Sequence, residues 1–218
     1  MASRSNTEET TVPAADGRIP GRRGTQTRER LLDATAEMLT STSYRDLKVV
    51  DIARAVGTSP ATFYQYFADV ESAVLLLGQR LTEDAHELTA PIEAGDWLGT
   101  GSYDAALALV DAFLDFWRSH EAVLRVVDLA IVEGDRRFRE IRNKVLYPVT
   151  KALTSVVASA SPRTNGRAVD PTAQAAVLVS MLAHVAEHRR GNEAWGIDRD
   201  EMRHALAETV RTSVVGAG

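Results

Sequence analysis

The most informative segment of this 218-residue chain reads LKVVDIARAVGTSPATFYQYF, from Leu47 to Phe67. Its first half places apolar residues at the three- and four-residue steps of one helical face, namely Val49, Ile52, Ala53 and Val56. Gly57 follows, at a position where a left-handed turn ends such a helix. Ser59 then offers an N-cap and Pro60 a first helical position, so a second short helix begins within a few residues. The segment therefore predicts two short helices joined by a tight glycine turn.

The second of these helices has a composition that suits a helix lying in the DNA major groove. Phe63 and Phe67 share one face and are expected to anchor the helix, because two turns are too short to be stable alone. Polar groups on its other faces match the chemistry of base edges and phosphates. We predict that the DNA-contacting residues are Arg22, Arg23, Lys48, Thr58, Ser59, Pro60, Ala61, Thr62, Tyr64, Gln65 and Tyr66. The alternative is that the two tyrosines are half-buried core residues with satisfied hydroxyls.

These residues together resemble the amino-terminal DNA-binding signature of TetR-type transcriptional regulators. In that family Asp-Ile-Ala leads to Gly-x-Ser, and a small residue, an aromatic or leucine, Tyr, and an aromatic or His before Phe follow. The matching segments here are 51–53, 57–59 and 61–67. The resemblance extends from Thr25 to Leu75. It departs from the family at Val70, where members often have a lysine that reaches a phosphate.

The resemblance implies an all-α fold of about nine helices. It comprises an amino-terminal three-helix helix-turn-helix DNA-binding domain and a larger carboxy-terminal helical domain for ligand binding and dimerisation. We place a disordered basic arm at 1–24, the DNA-binding domain at 25–70 and the ligand-binding and dimerisation domain at 71–218.

Apolar periodicity independently predicts the helices that follow the DNA-binding domain. A fourth helix starts after Asp69 and is expected to end at Pro91 and Gly95, and His120 is expected to separate the next two helices. The later helices are predicted at about 103–119, 121–133, 135–160, 171–190 and 198–214. No segment of comparable length alternates with the period of a β-strand.

Residues 1–24 combine Ser, Thr, Pro, Gly and charges without apolar periodicity, which is typical of disorder. Because this arm holds Arg18, Arg22 and Arg23, we expect it to follow the DNA backbone or to enter a minor groove. The alternative is a solvated tail that contributes only to solubility.

Residues 96–218 are far more than a dimer contact requires, and they are rich in aromatic and aliphatic side chains. We predict a small-molecule pocket lined by Phe113, Phe116, Trp117, Leu124, Val127, Asp128, Ile131, Tyr147 and Met181. The alternative for each of these residues is simple core packing. The segment from Phe113 to Arg125 also resembles the actinobacterial branch that includes the ethionamide-resistance repressor, which implies an elongated hydrophobic effector.

Two apolar stripes lie near the carboxyl end, within 171–190 and 198–214. The resemblance implies that these helices form a four-helix interface with a second subunit, and stripes of this kind need a partner surface. We predict that the dimerisation residues are Leu178, Leu182, Val185, Leu206 and Val210.

His184 and His188 lie four residues apart on one helical face, with Glu187 between them. Such a pair can share a metal ion, but a further histidine ligand has no placement from sequence. Packing, a solvated edge or a dimer contact is the expected role of the pair. We therefore expect no metal and no other cofactor.

Charge is distributed unevenly along the chain. The formal net charge of −5 argues against an acidic partner such as DNA. Residues 18–67, however, hold eight basic and five acidic side chains, whereas residues 68–218 hold sixteen basic and twenty-two acidic ones. The predicted DNA-binding end is therefore basic and the remainder acidic.

The composition also limits the compartment and the chemistry. Cysteine is absent, which excludes disulfides, zinc-thiolate sites, iron–sulfur clusters and cysteine nucleophiles. Apolar runs fall far short of the roughly 20 residues of a membrane span, and the amino terminus lacks the apolar core of a secretory signal. We expect a cytoplasmic protein with no membrane partner.

The sequence favours a ligand-responsive, homodimeric regulator, most simply a repressor that binds a palindromic operator and is released by a small hydrophobic effector. One alternative is an all-α enzyme, although no nucleophile with a placed base and no phosphate-binding loop is present. Another is a helical interaction module that has lost DNA binding, which Val70 and the net negative charge would favour.

Overall fold

The structure is a computed structural model that describes residues 21–160, 163–164 and 167–216. Residues 1–20 of the predicted arm, Arg18 among them, lie outside the described residues. The described residues form ten α-helices: α1 Arg22–Leu39, α2 Val49–Val56, α3 Pro60–Tyr66, α4 Val70–Asp84, α5 His86–Ala94, α6 Ser102–Val132, α7 Arg136–Ala160, α8 Pro171–Glu187, α9 Arg189–Ala194 and α10 Arg199–Val215. The predicted all-α class is confirmed.

Short elements accompany the helices. A 3₁₀ turn, Tyr44–Asp46, precedes α2. The two-residue strands β1, Arg163–Thr164, and β2, Arg167–Ala168, pair antiparallel between α7 and α8. Among the described residues, no helix is long and apolar enough to cross a membrane.

The chain divides into two compact units, Met1–Leu77 and Gly78–Gly218. The division lies inside α4, whereas the predicted domain boundary at residue 70 coincides with the start of that helix. In the first unit, α1 packs against α2 and α3. Its core is formed by residues from all three helices and from the start of α4: Leu31, Leu32, Leu39, Ile52, Ala53, Val56, Phe63, Phe67, Ala73 and Val74.

The second unit is built around the long helix α6. Helix α10 packs against α6, helix α8 packs against α7 and α6, and α5 contacts both α6 and α7. Gly78 of α4 allows a close approach inside this unit, because a Cβ there would lie 3.0 Å from Ile141 Cδ1 and 3.6 Å from Val127 Cγ2.

Three predicted helix boundaries are wrong. His120 does not interrupt α6, because neither glycine nor proline is near it and the buried stripe from Phe113 to Val127 is continuous. Pro91 does not end a helix either: α4 stops at Asp84, and Pro91 lies within the separate helix α5. The segment after α8, predicted as a loop, contains the short helix α9.

Candidate functional site

The turn between α2 and α3 has the geometry that the sequence predicts. Gly57 has φ 73° and ψ 35°, in the left-handed region. Its N–H donates to the carbonyl of Arg54 at 3.0 Å, and the N–H of Thr58 donates to the carbonyl of Ala53 at 2.9 Å. Arg30 reaches from α1 and donates to the carbonyl of Val56 at 2.8 Å. These bonds satisfy the last carbonyls of α2 and fix the direction in which the chain leaves it.

We expect Gly57→Ala to destabilise the first unit by about 1–2 kcal/mol, because a Cβ disfavours the left-handed conformation. No neighbouring atom of the described residues would lie within 4 Å of a Cβ at position 57, so steric conflict adds nothing to this cost. Urea unfolding followed by circular dichroism measures this change. Gly21→Ala is the matched control, since Gly21 has φ −69° and equally open space. Equal stability of the two variants would contradict the assigned turn.

Helix α3 is held in place at its start by Ser59 and along its buried face by two phenylalanines. The Ser59 Oγ accepts a hydrogen bond from the Thr62 N–H at 3.2 Å, and its hydroxyl lies 3.0 Å from the Thr62 hydroxyl. Phe63 and Phe67 are buried, with ring centroids 5.3 Å apart. The Arg28 guanidinium lies 5.7 Å from the centre of the Phe67 ring. A helix too short to persist alone is thereby oriented by its neighbours.

The remaining faces of α3 are open. Ala61, Tyr64 and Gln65 are exposed, and Tyr64 is 54% exposed, which argues against a core role for this tyrosine. Tyr66 is half-buried, so a packing contribution remains for that residue. Thr58, Pro60 and Thr62 are half-buried, whereas Ser59 is exposed.

Two further predicted contacts lie beside α3. Lys48 is exposed immediately before α2, and its side chain and that of Tyr64 line one shallow depression. Arg22 and Arg23 are exposed in the first turn of α1, so they belong to a helix and not to a disordered arm that continues to residue 24. Arginine is a good helix former, which explains the earlier helix start.

The start of α4 does not resemble a phosphate-binding site. Val70 is half-buried, and the Asp69 carboxylate accepts hydrogen bonds from the N–H and the hydroxyl of Ser72, both at 2.7 Å. Asp69 thus caps α4 in the way that an N-cap aspartate usually does.

The predicted pocket residues occupy three different environments in the second unit. Five are buried: Phe113, Phe116, Trp117, Leu124 and Val127. Asp128, Ile131 and Met181 are half-buried. Tyr147 is 68% exposed and does not join the others. Its assignment to an enclosed pocket is therefore wrong, because it lies on the outer face of α7 and not on the buried stripe that includes Val145 and Val149.

Trp117 is the focus of the buried group. Its ring stacks on Phe113, with centroids 5.5 Å apart, and the Arg142 guanidinium lies 5.2 Å from its centre. Arg142 also pairs with Asp128 at 3.0 Å. Burial raises the pKa of Asp128 above its usual range, and the Arg142 guanidinium opposes that rise. The Trp117 Nε1–H is buried and finds no hydrogen-bond acceptor among the described residues.

A buried donor without an acceptor is costly, and Trp97 provides a matched comparison. The Nε1–H of Trp97, also buried, donates to the carbonyl of Ile92 at 3.0 Å. We therefore expect Trp97→Phe to destabilise the protein by about 0.5–1.5 kcal/mol more than Trp117→Phe, because only the former leaves a carbonyl without its donor. Urea unfolding of the two variants measures the difference. A larger loss for Trp117→Phe would contradict the view that its N–H has no partner.

A cavity of about 290 Å³ lies elsewhere in the second unit, among α6, α8, α9 and α10. None of the nine predicted pocket residues lines it. Several of its charged side chains are paired with each other, since Arg203 bonds to Asp111 at 2.6 Å and Arg199 pairs with Glu193 at 2.6 Å. The surface that the cavity exposes is nevertheless more apolar than polar, with contributions from Leu114, Val185, Ile197 and Met202.

The predicted dimerisation residues do not face outward. Leu178, Leu182, Leu206 and Val210 are buried within the chain, and Val185 is half-buried. The inference that these stripes need a second subunit is wrong, because α8 packs on α7 and α6, and α10 packs on α6 of the same chain. A stripe covered by its own chain has the same periodicity as one covered by a partner.

The first unit has three helices and presents a short, exposed helix after a glycine turn, and a larger helical unit follows it. This arrangement defines a helix-turn-helix DNA-binding regulator. Residues 31–72 match the family model of bacterial regulatory proteins of the tetR family, and residues 86–217 match that of the tetracyclin repressor-like C-terminal domain. No curated protein matches the sequence significantly.

Several solved structures share the fold. A transcriptional regulator from Rhodococcus sp. Rha1 is 21% identical, with a TM-score of 0.66, and the match covers 87% of this chain and 97% of that chain. The transcriptional regulator FadR from Bacillus subtilis, in complex with stearoyl-CoA, is 16% identical, with a TM-score of 0.62 and coverage of 87% and 99%. The fatty acid degradation regulator FadR from Bacillus halodurans is 17% identical, with a TM-score of 0.61 and coverage of 89% and 96%.

The chain belongs to the TetR family. It is a transcriptional regulator and not an enzyme.

Proposed function

We propose that the protein is a cytoplasmic, homodimeric repressor that binds a palindromic operator and is released by a hydrophobic effector. The observation that carries the proposal is the presentation of α3, whose Phe63 and Phe67 are buried while Ala61, Tyr64 and Gln65 are exposed. Two copies of this helix, related by a two-fold axis, would enter successive major grooves of one operator.

The roles of the exposed residues follow from their chemistry. Gln65 reads a base edge through its amide, and the methyl group of Ala61 meets a thymine methyl. Tyr64 and Lys48 contact phosphates and so fix the register of the helix. The Thr62 hydroxyl is less available to DNA than the sequence suggests, because the hydroxyl and the N–H of this residue lie within hydrogen-bond distance of Ser59 Oγ.

Arg22 and Arg23 are further phosphate contacts in this proposal, since both are exposed at the start of α1. Thr58, Ser59, Pro60 and Tyr66 position α3 on the groove. Phosphate binding does not require a lysine at position 70, because the basic side chains of Arg22, Arg23 and Lys48 are exposed.

The effector site is proposed around Trp117, and the ligand is a molecule with a long apolar chain and a hydrogen-bond acceptor. Buried aromatic and aliphatic side chains surround the Trp117 Nε1–H, which has no acceptor among the described residues. An acceptor group of the ligand would satisfy that donor. The FadR relative of similar fold, solved with stearoyl-CoA, makes long-chain acyl compounds the first class to examine.

The effector acts because its affinity differs between two forms of the second unit. A ligand that binds an open form of the second unit better than the form that binds DNA shifts the population away from DNA, with a coupling of about 1–3 kcal/mol. Because the residues around Trp117 are packed, ligand entry requires the helices to separate.

The dimer contact is proposed on the outer face of α8, where the side chains are small and exposed. Ala173, Ala176, Val177 and Ser180 lie on this face, and Val177 is 63% exposed. Small side chains allow close approach of a second helix.

We expect Val177→Arg to convert the dimer into a monomer, because it places two guanidinium groups at a self-complementary contact. Light scattering coupled to size exclusion measures the mass. Val132→Arg is the matched control, since Val132 is 85% exposed but lies at the end of α6. A dimer in both variants would contradict the assigned face.

Selection of bound DNA from a random duplex library tests the proposed function. We expect an enriched inverted repeat with half-sites about one helical turn apart or somewhat more. Long-chain acyl compounds are then titrated against the complex with that operator, and release of the DNA is expected. Release should be weaker for Trp117→Phe than for Trp97→Phe. Enrichment of no sequence would contradict the proposal, and equal release from both variants would contradict the effector site.

A further inference from the structure

The last turn of α8 carries three side chains of the types that bind metal ions. His184, Glu187 and His188 are all exposed, and one ligand atom from each lies within 4.8 Å of the other two. The two imidazole rings lie 4.1 Å apart between centroids and are inclined by 29°. The third candidate ligand is therefore Glu187 of the same helical turn and not a further histidine.

The hydrogen bonds of His188 leave one of its ring nitrogens able to bind a metal ion. His188 ends the helix, and its N–H donates to the carbonyl of His184 at 3.0 Å. Its Nδ1 also lies 3.0 Å from that carbonyl oxygen. A carbonyl only accepts hydrogen bonds, so Nδ1 carries the proton and Nε2 keeps the lone pair that a metal needs. Leu182 and Ala186, buried on the opposite side of α8, hold the turn in place.

Charges of both signs lie close to these three side chains. The carboxyl end of a helix carries partial negative charge, and Glu187 adds a full one. Arg189 and Arg190 follow directly, but both pair with Glu121, the second at 3.2 Å. The hydrogen bond from Arg189 holds the pKa of Glu121 below its usual range, so Glu121 stays ionised and offsets one of the two arginine charges.

We propose that His184, Glu187 and His188 form a binding site for a divalent transition metal ion such as Zn²⁺. Two imidazole nitrogens and one carboxylate oxygen suit a borderline metal and not Mg²⁺, which prefers oxygen ligands. The three atoms lie within 4.8 Å of one another, and rotation of the exposed side chains must bring them closer to reach the bonding distances of zinc, about 2.0–2.2 Å. Water completes the coordination. All three ligands come from one chain, so the site can be tested without DNA and without an effector.

Titration calorimetry of the untagged full chain with ZnCl₂ tests the site. We expect one Zn²⁺ per chain, and the affinity should fall by about tenfold or more in the His184→Ala, His188→Ala double variant. Glu187→Gln should also weaken binding, since an amide is a poorer ligand than a carboxylate. MgCl₂ should give no binding. Zinc should raise the melting temperature of the wild type and not that of the double variant.

The matched control removes two histidines elsewhere, as His86→Ala with His204→Ala. Both are exposed and lie outside the group on α8. This control should bind zinc as the wild type does, and circular dichroism verifies the folding of every variant. Absence of zinc binding by the wild type, or equal affinity of the His184, His188 double variant, would overturn the proposal. Unchanged binding by Glu187→Gln would overturn the three-ligand site.

Discussion

Phe63→Ala is expected to destabilise the first unit by about 3–5 kcal/mol and to abolish specific DNA binding. Phe63 is fully buried, contacts Phe67 and fixes α3 on α1 and α2. The loss is a large part of the roughly 5–15 kcal/mol that keeps a domain folded. Urea unfolding followed by circular dichroism measures the stability, and fluorescence anisotropy measures the affinity for the selected operator.

Tyr64→Ala is the matched control for Phe63→Ala, because it truncates the neighbouring aromatic residue of the same helix. Tyr64 is exposed, so we expect its removal to change the free energy of unfolding by no more than about 1 kcal/mol. If both variants lost the same stability, the two aromatic residues would not have the opposite orientations described here.

Gln65→Ala is expected to weaken binding to the operator and to change which operator is preferred. A side-chain contact to a base edge contributes about 1–3 kcal/mol, and the dimer makes the contact twice. The affinity should therefore fall by about thirtyfold or more, since each 1.4 kcal/mol corresponds to a factor of ten. Titration of a panel of operators with single base changes measures both effects.

Tyr64→Phe is the comparison for Gln65→Ala. It removes a hydroxyl that contacts phosphate in our account, so it should weaken binding to all sequences alike. Uniform weakening by Gln65→Ala, with unchanged preference among the operators, would contradict its assignment to base reading.

The sequence predicted the DNA-binding unit well because its signals are local. Gly57 indicates the left-handed turn, Ser59 the N-cap, and the spacing of Phe63 and Phe67 the buried face of α3. Each signal acts within one helical turn, so no knowledge of distant contacts is needed. The arm was predicted to extend to residue 24, whereas α1 begins at Arg22, because the ends of helices have weak sequence signals.

The second unit was predicted less well, for a physical reason. Periodicity identifies the buried face of a helix but not the element that covers it, so Leu178 and Leu206 were assigned to a partner although their own chain covers them. Tyr147 was misassigned because the sequence does not show whether an aromatic residue on a helix faces the core or the solvent. The lack of an acceptor for the Trp117 Nε1–H among the described residues depends on tertiary geometry, whereas the proximity of Glu187 to the two histidines follows from helical spacing alone.

Titration of the selected operator with the full-length protein tests the central claim most directly. We measure fluorescence anisotropy for the intact inverted repeat and for the same duplex with both half-sites scrambled. The account predicts a dissociation constant of about 10⁻⁸–10⁻¹¹ M for the intact repeat and binding weaker by at least about a thousandfold for the scrambled duplex. Equal affinity for the two duplexes would contradict the claim that this protein reads an operator through α3.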